Sequence, residues 1–438
     1  MRKAPRGLAL VALLALAVLY GFLLHRQQWF PYRQLKGVFR KAKPEDLTRR
    51  FQPAPGASAL AQRDAVGALM QIPYLSGYDP ARGEVGVTVY DASRAEPGWN
   101  LCVSAHASEA RLTDMKGVER HRWVFNAKRA WPDLDADPEN RGYEKFWRRA
   151  LLLPGGDLLV IWEYIGMARI DSRSQLKWAA LNGAHHDLSV DKAGLIYVLT
   201  REKKIIPEIN REEAVIEDFV TVLSPEGQLV KKISLLRAFE HSEYAPELVP
   251  MKNAGDLLHA NTVQVLDGSL AAASPHFREG NILISSHALG VIAILDPVTE
   301  KIVWALSGQW RAQHRPRLLP TGKILMFDNF GSMKVGHSRA LEVDPFTQQI
   351  VWRYGEAQGE TFYSMSGGFI QRLPNGNTLI VSSNEGRAFE VTEDKALVWE
   401  YRNPFRSGDK NELIATLEQV ERLPANINVE WARPSPAH

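Results

Sequence analysis

The chain has 438 residues, 45% of them hydrophobic and 24% charged, with 53 Lys and Arg against 50 Asp and Glu. This balance excludes intrinsic disorder, a collagen-like repeat and a polytopic membrane protein, and a net charge of +3 gives no argument for nucleic acid as a partner. One cysteine, Cys102, excludes an intramolecular disulfide, a cysteine-based zinc site and a CxxC redox pair. The 12 histidines and 12 tryptophans are therefore the residues to follow.

Residues 1–30 predict a membrane anchor. Arg2, Lys3 and Arg6 precede residues 8–24, which are all Leu, Ala, Val, Tyr, Gly or Phe, and His25 and Arg26 close the run. That length is the lower limit for spanning a bilayer, and no small-x-small cleavage site follows it. The expectation is an uncleaved transmembrane helix in the bacterial inner membrane, with a cytoplasmic N-terminus and the body in the periplasm. A removable signal and export are the alternative. Residues 31–84 read as a connector, with helices expected within 41–51 and 59–70.

From residue 85 to 405 the chain repeats one unit. An apolar stretch meets a Gly-bearing turn, a second apolar stretch follows, then a strand ending in Asp, and a last strand ending in Trp. The clearest copies centre on Pro320-Thr321-Gly322, Pro374-Asn375-Gly376 and Pro154-Gly155-Gly156, and end at Trp352, Trp399 and Trp178. A fourth ends at Trp304, a fifth has Lys231 or Lys232 in the Trp slot, and a degenerate sixth spans residues 100–123 and ends at Trp123. Four short antiparallel strands, repeated, make a propeller blade. The fold class predicted is all-β: a six-bladed β-propeller over 85–405. One Trp per blade packs between sheets. For residues 406–438 the expectation is a short amphipathic helix over 410–423 and a frayed tail over 434–438.

The turn glycine places the histidines in register. His186 lies eight residues before Gly194, His314 eight before Gly322 and His259 nine before Gly268, while Arg148 and Gly368 fill the same slot in two other copies. Equivalent positions on the innermost strands converge on one axis. A second inward position, after the second strand of each unit, reads His106, Glu163, Thr200, His287, Asn329 and Asn384. Asn261, two residues beyond His259, is expected on the same strand face as that histidine. Arg148, Arg149, Arg315 and Arg317 add positive charge. Such a funnel suits a sulfate- or phosphate-like anion. Cys102 reads as core, and His121, His241 and His276 as surface or loop residues outside the register.

His185-His186-Asp187, His259-Ala260-Asn261-Thr262, Gln313-His314, the strand 280–286 and Leu325-Met326-Phe327-Asp328-Asn329 resemble arylsulfotransferases, closest to the bacterial membrane-anchored branch. The resemblance covers about residues 85–405. It implies transfer of a sulfuryl group from an aryl sulfate to a phenolic acceptor, independent of PAPS and of any other cofactor. It implies that His314 is the nucleophile and carries the group as sulfohistidine. By the same resemblance His259 and Asn261 hold the sulfuryl oxygens, and His186 handles the phenol proton. An imidazole suits both tasks near neutral pH. The sequence departs from the pattern at His287, where members carry an arginine that binds those oxygens, and at Arg315, where Asp is common. A histidine replaces that arginine only when protonated, and with fewer donors. Two other classes stay open on the residues alone. One is a non-catalytic, membrane-anchored propeller that binds a partner or an anion. The other is an enzyme whose axial histidines hold Zn²⁺ or Fe²⁺.

Overall fold

The computed structural model describes residues 77–81, 83–134, 142–330, 337–408 and 410–432, all within the unit Pro73–His438. The predicted anchor, the two connector helices and the tail over 434–438 lie outside the described residues. Among the described residues no helix is long and apolar enough to cross a membrane.

The described chain is all-β and propeller-like. Six antiparallel sheets of four or five strands are accompanied by one small three-stranded sheet of Gly77–Pro80, Arg406–Ser407 and Leu413–Ala415. The first strands of the six sheets are β1 (Arg149–Leu152), β2 (Ala184–Val190), β3 (Ala260–Val265), β4 (His314–Leu318), β5 (Phe369–Arg372) and β6 (Leu417–Pro424). Each of these strands touches the next, and β6 touches β1, so the six form a closed cycle.

The sixth sheet is where the sequence expectation fails. Its second to fourth strands are Gly98–Ser104, Glu109–Thr113 and Glu119–Val124, which is the degenerate copy, and its first strand is β6 from the C-terminus. The helix predicted over 410–423 does not form. Its Leu413, Leu417, Val420 and Leu423 have helical spacing, but residues 417–424 pair along Gly98–Ser104 instead. The polar residues that suggested a solvated helix face, Glu418, Gln419 and Arg422, are buried in the ring. Tertiary pairing overrides the local period here. The strand Gly86–Tyr90 extends the fifth sheet at its outer edge.

Tryptophans hold neighbouring sheets together at the periphery. The indole Nε1 of Trp178, Trp352 and Trp399 donates to Pro225, Glu393 and Met115 carbonyls at 2.9, 3.1 and 2.9 Å. Each acceptor lies in the hairpin between third and fourth strands of the next sheet. The lysine in the Trp slot does the same: Lys231 Nζ donates to the Pro297 carbonyl at 2.7 Å. The hairpin under Trp178 requires glycine, because Gly227 has φ +82 and a Cβ there would meet the indole at 2.6 Å.

Near the axis, polar side chains join the first strands. Gln264, Gln371 and Gln419 each clamp both the N–H and the carbonyl of one residue on a neighbouring first strand: Leu318, Arg422 and Ala150. Asp187, on β2, is buried and accepts from Arg315, from Arg317 at 2.5 Å and from the Val263 N–H at 3.1 Å, with Arg149 Nε 3.5 Å away. It ties β1, β2, β3 and β4 together. Three guanidiniums offset its burial and hold its carboxyl below the usual range.

Candidate active site

The registered histidines meet. Ring centroids are 5.0 Å apart for His186 and His259, 4.7 Å for His259 and His287, 5.4 Å for His287 and His314, and 6.4 Å for His314 and His186. His186, His259 and His314 come from the starts of β2, β3 and β4, and His287 from the loop after Ile282–Ser286. Local backbone irregularity aims them. Register shifts fall within His185–Leu188, Ala260–Thr262 and His314–Arg317, and His186 and His259 have φ +53 and +48. Bulges and left-handed backbone at non-glycine residues commonly re-aim side chains at functional sites. His314 and His186 are buried, while the His259 side chain keeps 23% of its exposure. His259 and His287 are thus the partly exposed members of the cluster.

Each of three histidines has Nδ1 against an oxygen. His186 Nδ1 is 2.8 Å from Glu163 Oε1, and His259 Nδ1 is 2.9 Å from Asp256 Oδ2. His314 Nδ1 is 2.7 Å from Asn329 Oδ1 and 2.9 Å from the Ala312 carbonyl. The Asn329 amide orientation is fixed, because its Nδ2 donates to the Ser364 and Gly367 carbonyls at 2.9 and 2.7 Å. Both neighbours of His314 Nδ1 are thus acceptors, and the ring proton sits on Nδ1. His314 Nε2 is buried without a hydrogen-bond partner and presents its lone pair to the cluster.

Electrostatics separate the rings. Burial, aided by Arg148, pushes His314 down to about 3 despite the Asn329 hydrogen bond, so it is neutral. Burial also holds His186 and His287 well below the usual imidazole value. Burial opposes charge on His259 too, but the Asp256 carboxylate outweighs it and raises that group. His287 is thus neutral, Asp256 favours the protonated form of His259, and Arg148 is the guanidinium that acts on His314. Arg148 is hydrogen-bonded to Glu418, with Glu163 3.5 Å from its Nε.

Other expected positions behave differently. His259 lies just before β3 in left-handed backbone, so the two-residue alternation does not carry Asn261 to it. Asn261 instead donates to the Gln313 carbonyl at 2.7 Å, next to the nucleophile candidate. Arg315 turns to Asp187, away from the cluster. His106 pairs with Glu109 and stacks on Phe405, and Thr200 bonds Thr221. His121 is not a loop residue: it is buried on Glu119–Val124 between Trp123 and Trp431. Glu418 and Asp218 were missed, since nothing local marks them as partners of residues elsewhere in the chain, and Asp256 was missed although its partner His259 lies three residues on. Among the described residues, Glu163, His185 and His186 bring ligand-type atoms within 4.8 Å of one another and could take a metal ion. The same atoms also form a closed chain of contacts: His185 Nδ1 is 2.9 Å from His186 Nδ1, and His185 Nε2 is 3.4 Å from Asp218.

Solved structures with overall similarity include a protein of unknown function from Bacteroides caccae, with 11% identity, TM-score 0.46 and coverage of 74% of this chain and 98% of that one. The WD40 β-propeller domain of Doa1 follows at 13% identity and TM-score 0.42, covering 76% and 88%. A streptogramin B lyase structure matches at 10% identity and TM-score 0.41, covering 79% and 94%. No curated protein matches the chain. The family model for Arylsulfotransferase (ASST) matches residues 149–404, more than half of the chain and the stretch that carries all four clustered histidines. With its registered histidines gathered on one axis inside that match, the chain belongs to the arylsulfotransferase (ASST) family.

Proposed function

We propose that the protein is a six-bladed propeller enzyme that moves a sulfuryl group from an aryl sulfate to a phenol through His314. The observation that carries this reading is the bare, neutral Nε2 of His314 facing His186, His259 and His287. In the first half-reaction the Nε2 lone pair forms the N–S bond as the aryl S–O bond breaks, and the phenolate leaves with the electron pair. In the second, a phenol oxygen attacks sulfur, its proton passes to a base, and the N–S bonding pair returns to Nε2.

His186 is the base for that proton, with Glu163 orienting its Nδ1 side so that Nε2 serves the substrate. His259, kept cationic by Asp256, and Arg148 supply charge for the sulfuryl oxygens, which compensates for the neutral His287. Asn261 positions the Gln313–His314 backbone. The first thirty residues support a single-pass anchor with the propeller in the periplasm, by the apolar run and its basic flank.

The test is incubation of the full chain with 4-nitrophenyl sulfate and phenol, with intact-mass detection of a sulfuryl adduct on His314. Wild type should release 4-nitrophenol and carry the adduct, and His314→Ala should do neither. Equal release by both proteins would sink the reading.

A further inference from the structure

Three histidines of the cluster share one arrangement and differ in one respect. The Nδ1 partners of His186 and His259 are carboxylates, Glu163 and Asp256. The partner of His314 is the uncharged carboxamide of Asn329. Asn329 is fully buried at the end of Ile324–Asp328. Both its Nδ2 hydrogens are committed to backbone carbonyls, and its backbone carbonyl accepts from Ser338 Oγ at 2.9 Å. It can neither flip its amide without losing those bonds nor exchange a proton.

We infer that Asn329 is a positioning residue for sulfuryl transfer, holding His314 in the tautomer with a bare Nε2 and, being neutral, keeping the proton on Nδ1 through both half-reactions. This rests on the function proposed above.

The chemistry follows from charge. Attack by Nε2 on sulfur, with Nδ1–H intact, gives an N-sulfoimidazolium: the ring carries one positive charge and the sulfo group one negative charge. Departure from that cation returns a neutral imidazole, so the adduct remains a good donor. Loss of the Nδ1 proton would leave an N-sulfoimidazole with an uncharged ring and a net charge of −1, whose leaving group is an imidazolide, a far poorer one. A carboxylate at position 329 would act against both stages. In the resting protein it favours a second proton on the ring, which occupies Nε2. In the adduct it draws the Nδ1 proton away. The amide accepts the same hydrogen bond without doing either. The Ala312 carbonyl, also neutral, is consistent with this. His186 and His259 have the opposite requirement, since one takes up a proton and the other keeps one, and carboxylate partners favour that.

The test uses the full chain with ¹⁵N-labelled histidine, in which the His314 resonances are assigned by comparison with His314→Ala. Wild type should show a neutral ring protonated at Nδ1 across the neutral range. In Asn329→Asp, His314 should become doubly protonated near neutral pH, and any sulfuryl adduct should lose its transfer rate to phenol by at least tenfold. Asn329→Ala, which keeps only the Ala312 acceptor, should show a mixed tautomer and a tenfold slower adduct formation. It decides the matter if the Asp variant does not fold. A wild-type ring protonated at Nε2, or a tautomer unchanged in the variant that folds, overturns the inference. The ring spectrum does not depend on turnover. A Nδ1–H ring in a protein that forms no adduct therefore overturns the proposed function and, with it, the role of Asn329 in transfer, while the pairing itself stands. An adduct formed by a protein without that tautomer overturns the role of Asn329 alone.

Discussion

Arg148 and Glu418 hydrogen-bond across 270 positions of sequence. One stands immediately before β1 and the other on β6, so their pairing joins the first and last of the innermost strands. Glu418 is also close in charge to Glu163, and the balance of these groups sets its titration. Burial, opposed by Arg148 and reinforced by Glu163, pushes the Glu418 carboxyl up to about 7.

That shift predicts a pH dependence. The folded value lies above the ordinary carboxyl value of 4.5, so between the two the folded state holds a proton that the unfolded chain has lost. The contribution to stability is complete below the unfolded value and declines as pH rises through about 7. Glu418→Gln should flatten that decline. Denaturant midpoints followed across this range for both proteins check it.

Glu163→Gln should act on the acceptor step. The carboxylate favours the proton that His186 receives from phenol, and an amide does so far less. Transfer from the His314 adduct to phenol should fall by about 10²-fold, more than adduct formation does. Rapid-quench measurement of the two half-reactions separates them.

Asp187→Asn should destabilise without touching the histidine cluster directly. It leaves the Arg315 and Arg317 guanidiniums, and that of Arg149 nearby, without their shared buried anion. Breaking a buried pair in this way costs about 3–5 kcal/mol, and equilibrium unfolding measures it.

The two kinds of sheet-to-sheet latch should differ in weight. Trp399 is 1% exposed, and Trp399→Ala empties a large site at about 3–5 kcal/mol. Lys231 makes the equivalent hydrogen bond from a side chain 36% exposed, and Lys231→Ala should cost under about 1 kcal/mol. Thermal unfolding of the two variants tests the ranking.

Much of this molecule was readable before its structure. Turn glycines such as Gly194 and Gly322 recur at a fixed distance from inner-strand histidines because the same short hairpin joins the first and second strands of their sheets. The Trp slot was readable for a similar reason, and even Lys231 fell where the register put it. What escaped was set by partners distant in sequence. Glu418 meets Arg148 only when β6 lies beside β1, and Asp218 meets His185 only once their sheet has formed. Residues 417–424 carry buried polar groups on both faces, so strand alternation does not mark them, while the helical spacing of Leu413, Leu417, Val420 and Leu423 points to the wrong element. His121 looked unplaced because its packing partner Trp431 belongs to the far end of the chain.

The position of β6 also fixes an order of events. The strand that completes the cycle spans Leu417–Pro424 and pairs with Gly98–Ser104, which a ribosome makes more than three hundred residues earlier. Until that last segment emerges, Gly98–Ser104 is a strand edge awaiting its neighbour. Arg148 lacks one of its two carboxylates over the same interval. A nascent chain therefore holds the cycle open until this strand joins it.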